Sequence, residues 1–348
     1  MAQIDKPNLH FNTKLYTGNG STQSITGVGF QPDWVWVKER TSTSSHQLVD
    51  AVRGYNKRMF SNSASAEAVD SSPYNDFKSF DSDGFSIGNG GAVNENSQTY
   101  AAWNWKANGQ GSSNTDGSIN TTYTSANTTA GFSIVSYTGT GSNPATVGHG
   151  LGATPKMIVV KPRSIAYSWC VYHQEAGNNN LLYYDTNGAA GGSSVWNSTS
   201  PTNSVFTVND NQVNKSGETH IAYCFAEKNG YSKFGKYIGN GNANGTFIYT
   251  GFRPAFIMVK RSDGGSENWF ILDNKRDDGM NPRNSYIMTN SNSAEDANNS
   301  TVNTDFLSNG FKLRATTGAL NGSGNTYIYM AFAENPIVGS NNIPATAE

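Results

Sequence analysis

The chain has 348 residues, of which 36% are hydrophobic, 12% aromatic and 14% charged, and its formal net charge is -2 at pH 7. This length exceeds the ~250–300 residues that one hydrophobic core supports, so it predicts two or three domains. The composition argues against disorder and against an all-α fold, and the near-neutral charge gives no electrostatic reason to expect nucleic acid or an anionic membrane as a partner.

Five landmarks recur three times along the chain, which indicates an internal repeat. In chain order they are an extended stretch ending at a glycine, a proline turn leading to an apolar strand that stops at a lysine, a short apolar strand, a strand after a turn, and a closing strand. The first landmark ends at Gly20, Gly141 and Gly241, and the second stops at Lys38, Lys161 and Lys260. The spacing predicts units of roughly 100–120 residues, an ordinary domain size.

We assign the repeats to residues 9–108, 131–229 and 230–336. Residues 109–130 are polar with few large aliphatic side chains, and this composition predicts a linker. A tail follows at residues 337–348. Because the second and third repeats are joined by only a few residues, we expect them to pack closely, with the first more independent.

The landmark segments are short, rich in β-branched and aromatic residues, and bounded by Gly, Asn, Asp and Ser, as is typical of strands and turns. Trp34 to Val37 are apolar on both faces, and Ala222 and Cys224 alternate with large side chains, which predicts strands buried on both faces. We therefore expect an all-β protein with three tandem antiparallel β-sandwich domains of jelly-roll type. A β-barrel is the competing all-β interpretation.

For the histidines, the Asp–Arg pairs and the cysteines, the sequence favours a structural role over catalysis or metal binding. The five histidines lack metal-ligand spacing, and His46 aligns with Trp169 and Trp269 in the repeats, so packing is expected. Asp50 with Arg53, and Asp273 with Arg276, could be a carboxylate held by an arginine for catalysis, but a local salt bridge is favoured because the second repeat lacks the pair. Cys170 and Cys224 are expected to be buried thiols. We predict no enzyme, no catalytic residue, no metal and no cofactor.

Aromatic side chains in polar loops are the remaining candidates for ligand binding. Such rings stack against sugar C–H faces, while neighbouring amides and hydroxyls bind sugar hydroxyls. The alternative is that these rings plug the ends of the sandwiches. The candidate residues are Tyr55, Tyr74, Tyr167, Trp196 and Tyr286.

Several segments resemble a family of structural proteins from marine and cyanobacterial tailed bacteriophages, described as tail fibre or virion surface proteins with three repeats. The resemblance spans residues 9–336 and is carried by YTGNGSTQSITGVGFQPDWVWVKER, VGHGLGATPKMIVVK, IAYCFAEKNGYSKFGKYIGNG, TGFRPAFIMVKR and YIYMAFAENP. It implies a place on the virion, and it carries no catalytic residue over to this chain.

The predicted function is therefore that of a non-enzymatic virion structural protein of a tailed phage, at the tail fibre, tail tip or another surface, in adhesion to host-surface glycans. The alternatives are a capsid decoration or cement protein and, with less support, a polysaccharide depolymerase. We expect assembly in the host cytoplasm because the N-terminus lacks an apolar signal region. The expected partners are other capsid, tail or fibre proteins, host glycan and, because virion sites are symmetric, further copies of the chain.

Overall fold

A computed structural model describes residues 3–70 and 76–338 and shows an all-β protein made of several antiparallel sheets. Helical structure in these residues is limited to the short α-helices α1 (Gly91–Asn94) and α2 (Asn211–Asn214) and the 3-10 turns Pro7–Leu9 and Ser300–Val302. Tyr74 lies outside the described residues.

The strands fall into three successive sets. The first set is β1 (Phe11–Thr17), β2 (Gln23–Thr26), β3 (Trp34–Glu39), β4 (Gln47–Asp50), β5 (Gly54–Met59), β6 (Ala68–Val69), β7 (Phe77–Asp81), β8 (Gly84–Ile87) and β9 (Thr99–Trp105). The second set is β10 (Thr121–Asn127), β11 (Phe132–Thr138), β12 (Ala145–Gly148), β13 (Pro155–Pro162), β14 (Cys170–His173), β15 (Asn180–Tyr183), β16 (Gly191–Gly192), β17 (Val205–Val208) and β18 (Thr219–Ala226). The third set is β19 (Ser232–Ile238), β20 (Phe247–Tyr249), β21 (Phe252–Arg261), β22 (Trp269–Asp273), β23 (Ile287–Met288), β24 (Thr304–Leu307), β25 (Gly310–Leu313) and β26 (Thr326–Pro336).

Each set forms one large and one small sheet. The first large sheet has the order β1-β9-β3-β4-β5-β6, the second β10-β11-β18-β13-β14-β15-β16, and the third β19-β26-β21-β22-β23. The small sheets have the orders β2-β8-β7, β12-β17 and β20-β25-β24. In every large sheet the closing strand of the set therefore lies between an early strand and the apolar strand that carries the lysine. The large sheets are open, with an edge strand at each end.

The apolar strands are buried on both faces, as the sequence predicted. Trp34 and Trp36 belong to a cluster that faces the other large sheets, whereas Val35 and Val37 pack toward the first small sheet. The same alternation separates Met157 and Val159 from Ile158 and Val160, and Phe256 and Met258 from Ile257 and Val259. Since neighbouring side chains on a strand point to opposite faces, each large sheet has a layer on either side.

The three large sheets share one core, which we call the central core. Phe11 stacks on Phe332 with ring centroids 5.0 Å apart, which joins the first sheet to the third. Trp34 stacks on Tyr223 at 4.4 Å, which joins the first sheet to the second, and Phe225 meets Phe332 at 6.2 Å. The expectation that the first repeat is more independent is therefore wrong, because its aromatic side chains supply much of the common core.

Backbone hydrogen bonds join the large sheets in a cycle. The amide of Glu67 donates to the carbonyl of Arg163, that of Ala190 to Ser262, and that of Glu295 to Arg40, at 2.8, 3.2 and 2.9 Å. These contacts run from the first set to the second, from the second to the third, and from the third to the first. Side-chain ring nitrogens form hydrogen bonds at the same three contacts. Trp169 donates to the carbonyl of Phe60 at 2.9 Å, Trp269 to that of Tyr183 at 2.9 Å, and His46 to that of Met288 at 3.0 Å.

The segment predicted as a linker contains the strand β10. This strand pairs with β11 from Thr121↔Tyr137 to Asn127↔Phe132 and extends the second large sheet. Its threonines and Tyr123 favour an extended backbone, so a polar segment forms a strand without large aliphatic side chains. The amides of Ala107 and Gly109 donate to the carboxylate of Asp33 at 2.7 and 3.1 Å, which fixes the start of the segment to the first set.

Because the three large sheets share their core, we expect the Phe332→Ala substitution to destabilise the whole protein by about 3–5 kcal/mol. Denaturant unfolding should show one transition that shifts as a unit, whether it is followed by tryptophan fluorescence or by circular dichroism. Ile238→Ala is the control, since Ile238 is 62% exposed and its truncation should cost about 0.5 kcal/mol or less. Two separated transitions in the Phe332→Ala protein would contradict the shared core.

Candidate functional site

The Asp50–Arg53 pair belongs to a buried chain of charges between the first and second large sheets. Arg53 Nε lies 2.5 Å from Asp50 Oδ2, and its Nη1 lies 3.2 Å from Glu67 Oε2. Glu67 in turn receives hydrogen bonds from Arg163, with Nε–Oε2 at 2.9 Å and Nη2–Oε1 at 3.0 Å. The hydroxyl of Tyr223 donates to Asp50 Oδ2 at 2.7 Å. The predicted local salt bridge is present, and it extends across the contact between two sheets.

An equivalent chain joins the third large sheet to the first. Arg276 Nε lies 2.7 Å from Asp273 Oδ2 and its Nη1 lies 3.0 Å from Glu295 Oε2. Glu295 pairs with Arg40 at 2.8 Å, and the indole nitrogen of Trp103 donates to Asp273 Oδ2 at 3.0 Å. We call the two arrangements the Asp–Arg–Glu–Arg chains.

The electrostatics of these chains favour a structural role. Burial alone would raise the pKa of Asp273, but the charge and hydrogen bonds of Arg276 hold it below its usual value. Burial would likewise raise the pKa of Glu67, and Arg163 and Arg53 lower it. Carboxyl groups with lowered pKa values stay ionised and paired near neutral pH, so they are poor carriers of protons.

The contact between the second and third large sheets is built differently. His173, Ala176, Ala190 and Ser262 stand where the other two contacts have, respectively, the aspartate, the first arginine, the glutamate and the second arginine of a chain. His173 Nε2 donates to the carbonyl of Tyr329 at 3.2 Å, since its Nδ1 accepts from an amide. Burial lowers the pKa of His173 to about 4, so the side chain is neutral. A cavity of 340 Å³ remains beside the two alanines.

The repeated lysine has a role that the sequence pattern did not reveal. Lys161 Nζ donates to the carbonyls of Pro162 and Ala64, and Lys260 Nζ to those of Glu267 and Asn187. Ala64 and Asn187 each belong to the preceding set of strands. Burial lowers the pKa of Lys38, Lys161 and Lys260 to about 8. Each lysine therefore lies one residue before the end of an apolar strand and satisfies backbone carbonyls. Lys161 and Lys260 do so across a contact between sheets.

The five predicted glycan-binding aromatics do not form one described site. Tyr55 is 43% exposed on β5, and Tyr167 is half-buried in the loop after β13. Trp196 is 2% exposed and packs edge-on against Tyr172, so the alternative of a ring that plugs the sandwich describes it better. Tyr286 is half-buried, and its hydroxyl donates to Asp296 at 2.8 Å.

Exposed rings that the sequence analysis missed lie on β20. Phe247 is 42% and Tyr249 is 62% exposed, and the residue between them, Ile248, is 6% exposed. Tyr249 also lines a surface cavity of 290 Å³. Ligand-binding rings were expected in polar loops, and the segment FIY forms a strand. The sequence signal for these rings is the alternation of aromatic and aliphatic residues in FIY. In a short edge strand, aromatic residues at positions i and i+2 lie on the same face.

The family described as Domain of unknown function (DUF7483) matches residues 6–336, so the chain belongs to this family. No curated protein and no solved structure matches the chain. Residues 3–70 and 76–338 contain no helix that is both long and apolar enough to cross a membrane.

We expect Asp50→Ala to destabilise the protein by about 3–5 kcal/mol, because it leaves the guanidinium of Arg53 buried without its carboxylate. Lys236→Ala is the matched control. It removes the Lys236–Glu175 pair, in which the lysine side chain is 55% exposed, and should cost about 1 kcal/mol or less. Urea unfolding of both variants measures the difference, and equal losses would contradict a structural role for the chain.

Stability should also fall with acidification through His173. The pKa of His173 is about 4 in the folded protein and ~6.5 in the unfolded chain, so between these values the unfolded state binds one more proton. The contribution of His173 is complete above pH ~6.5 and decreases by about 1.4 kcal/mol per pH unit toward pH 4.

The His173→Gln variant tests this dependence, because an amide can replace both hydrogen bonds without titrating. The slope of the unfolding free energy against pH, measured between about pH 5 and 6.5, should be smaller in the variant. The expected decrease approaches about 1.4 kcal/mol per pH unit, which corresponds to one proton. An unchanged slope would show that His173 is not the group responsible.

Proposed function

We propose that this member of the DUF7483 family is a non-enzymatic structural protein of a tailed-phage particle, built from three copies of one β-sandwich around an approximate threefold axis. We further propose that its outer surfaces contact host-surface glycans. The observation that carries the proposal is the cyclic set of contacts around the central core. The backbone and ring-nitrogen hydrogen bonds between two large sheets recur between the other two pairs.

Details within the sheets support the threefold repeat. The side-chain oxygens of Asn94, Asn214 and Asn321 each accept from a backbone amide of the glycine turn at 2.9 Å. Beside each asparagine two rings stack at a centroid distance of 5.0 Å. The pairs are Tyr16–Tyr100, Tyr137–His220 and Tyr237–Tyr327. Recurrence of a buried polar contact and its neighbouring ring pair is difficult to explain without a common origin of the three units.

A fused body of this kind suits the surface of a particle. Its three units are held together by the chain and by a common core, so the body does not depend on subunit association after the particle is released. Exposed ion pairs are screened at high ionic strength and contribute little, whereas buried pairs such as Asp50–Arg53 are screened much less. A surface rich in Asn, Ser and Thr and a charged interior contact are therefore compatible with a saline environment.

A capsid decoration protein without a ligand is the second candidate. It is favoured by the many hydrogen bonds and ion pairs between the large sheets. A body held together in this way would be rigid enough to stabilise a shell by binding across its subunits. A depolymerase is less favoured, because the recurring carboxylates at the sheet contacts are engaged by arginines. Release of reducing sugars from host polysaccharide would support that third candidate.

Localisation in the particle tests the proposal directly. Antibody against this chain, coupled to gold, should label intact tailed phages, and the protein should be found in particles purified through a density gradient. Label at the tail favours adhesion and label on the capsid lattice favours decoration. Absence of the chain from purified particles would contradict the proposed function.

If adhesion is the role, purified protein should bind host cells equally well when NaCl is raised from about 0.1 M to about 0.5 M, since the net charge is close to zero. Fluorescent labelling and cell sedimentation measure the bound fraction. A cationic protein of similar size serves as the control whose binding falls with salt. Loss of binding at high salt would indicate electrostatic adsorption in place of glycan recognition.

A further inference from the structure

The outer face of the third small sheet differs from its two counterparts. In each small sheet a buried aliphatic residue on the first strand pairs with a buried phenylalanine. These pairs are Ile25↔Phe85, Val147↔Phe206 and Ile248↔Phe311. They align the three strands, so the residues on either side can be compared position by position.

In this alignment Phe247 is equivalent to Ser24 and Thr146, one residue before the buried aliphatic residue. Tyr249 is equivalent to Thr26 and Gly148, one residue after it. The other two small sheets therefore have small side chains, or none, at both positions. Phe247 and Tyr249 are 42% and 62% exposed, so burial in their own sandwich does not account for them. All seven tryptophans of the chain, in contrast, are buried. Packing does not require aromatic rings on this face.

The ring of Tyr249 forms one wall of the 290 Å³ cavity and lies over the backbone of Gly251. A Cβ atom at Gly251 would come within 3.8–4.0 Å of the end of the tyrosine ring. The cavity continues along residues 227–233, where the second and third units join, and reaches Ile337 and Val338. Its volume is just below the ~300–1,000 Å³ that small-molecule sites occupy.

The polar groups in the cavity leave it without net charge. Lys233 Nζ lies 2.8 Å from Glu227 Oε1, and the other oxygen of Glu227 accepts from the amide of Phe234 at 3.3 Å. Both groups keep further hydrogen-bonding capacity, because a carboxylate has about four acceptor positions and an ammonium has three donors. Asn229 is exposed at the same junction. A neutral ligand with several hydroxyl groups matches this set better than an ion does.

We infer that the cavity beside Tyr249 binds a neutral saccharide, with the tyrosine ring against a sugar face and Glu227, Lys233 and Asn229 at its hydroxyls. Phe247 is two residues away on the same strand face, at roughly 6.8 Å along the strand, and offers a second ring to a longer chain. The other two small sheets lack these rings, so the expected stoichiometry is one saccharide per protein. The inference rests on the proposed contact with glycans and assigns it to one unit.

The test is calorimetric titration of the full chain with neutral hexasaccharides of glucose, mannose and galactose, and with an acidic hexagalacturonate for comparison. At least one neutral hexasaccharide should bind with a stoichiometry of one and more tightly than the acidic one. Tyr249→Ala should weaken that binding by about tenfold or more, because it removes a large apolar contact. Tyr249→Phe keeps the ring and should remain within about threefold of the original.

Thr26→Ala is the matched control at the equivalent position of the first unit and should leave the titration unchanged. Because Tyr249 is exposed, its truncation should leave the fold intact, and circular dichroism verifies that the variant is folded. The inference is overturned if none of the neutral hexasaccharides binds or if Tyr249→Ala binds equally well. It is also overturned if sedimentation shows self-association that Tyr249→Ala abolishes, since a second copy would then be the occupant.

The outcomes separate this inference from the proposed function. Protein that is present in phage particles but fails to bind the hexasaccharides overturns the saccharide site alone. Saccharide binding that depends on Tyr249 in a protein absent from particles overturns the phage assignment alone.

Discussion

The structure depends on strands that are apolar on both faces. A strand such as β3 cannot expose either Trp34 and Trp36 or Val35 and Val37 to water without losing roughly 1.5–3 kcal/mol per large side chain. A two-layer sandwich covers only one face of the large sheet. The second face is covered by the other two large sheets, which have the same requirement. The central core is thus the common solution to one constraint that is present in each set of strands.

Burial on both faces could be predicted from the sequence because strand periodicity separates the two sets of side chains, as at Ile221, Tyr223 and Phe225 against Ala222 and Cys224. The identity of the second layer could not be predicted, since apolar alternation does not state which sheet covers which face. The polar segment before Phe132 was interpreted as linker for a related reason. The polarity of its threonines suggested a linker. Threonine also favours an extended backbone, and the edge of β11 that does not pair with β18 is available to pair with such a segment.

The candidate site shows the limits of composition more clearly. Trp196 and Tyr249 both lie near glycine and polar residues, yet one is buried and the other is exposed. Local sequence does not distinguish them, because exposure depends on which sheet face lies over the ring. The comparison among equivalent positions does distinguish them. A position that is filled by serine or threonine in one small sheet and by an aromatic residue in another identifies a side chain that the fold itself does not need.

The contact between the second and third large sheets lacks the Asp–Arg–Glu–Arg chain that the other two contacts have. In an assembly of three identical subunits every substitution appears at all three junctions simultaneously, so a change that empties one junction empties them all. In one polypeptide with three different sets of strands each junction can differ from the others. Two junctions here have buried ion pairs while the third has small residues, and a substitution on one set of strands changes one face alone.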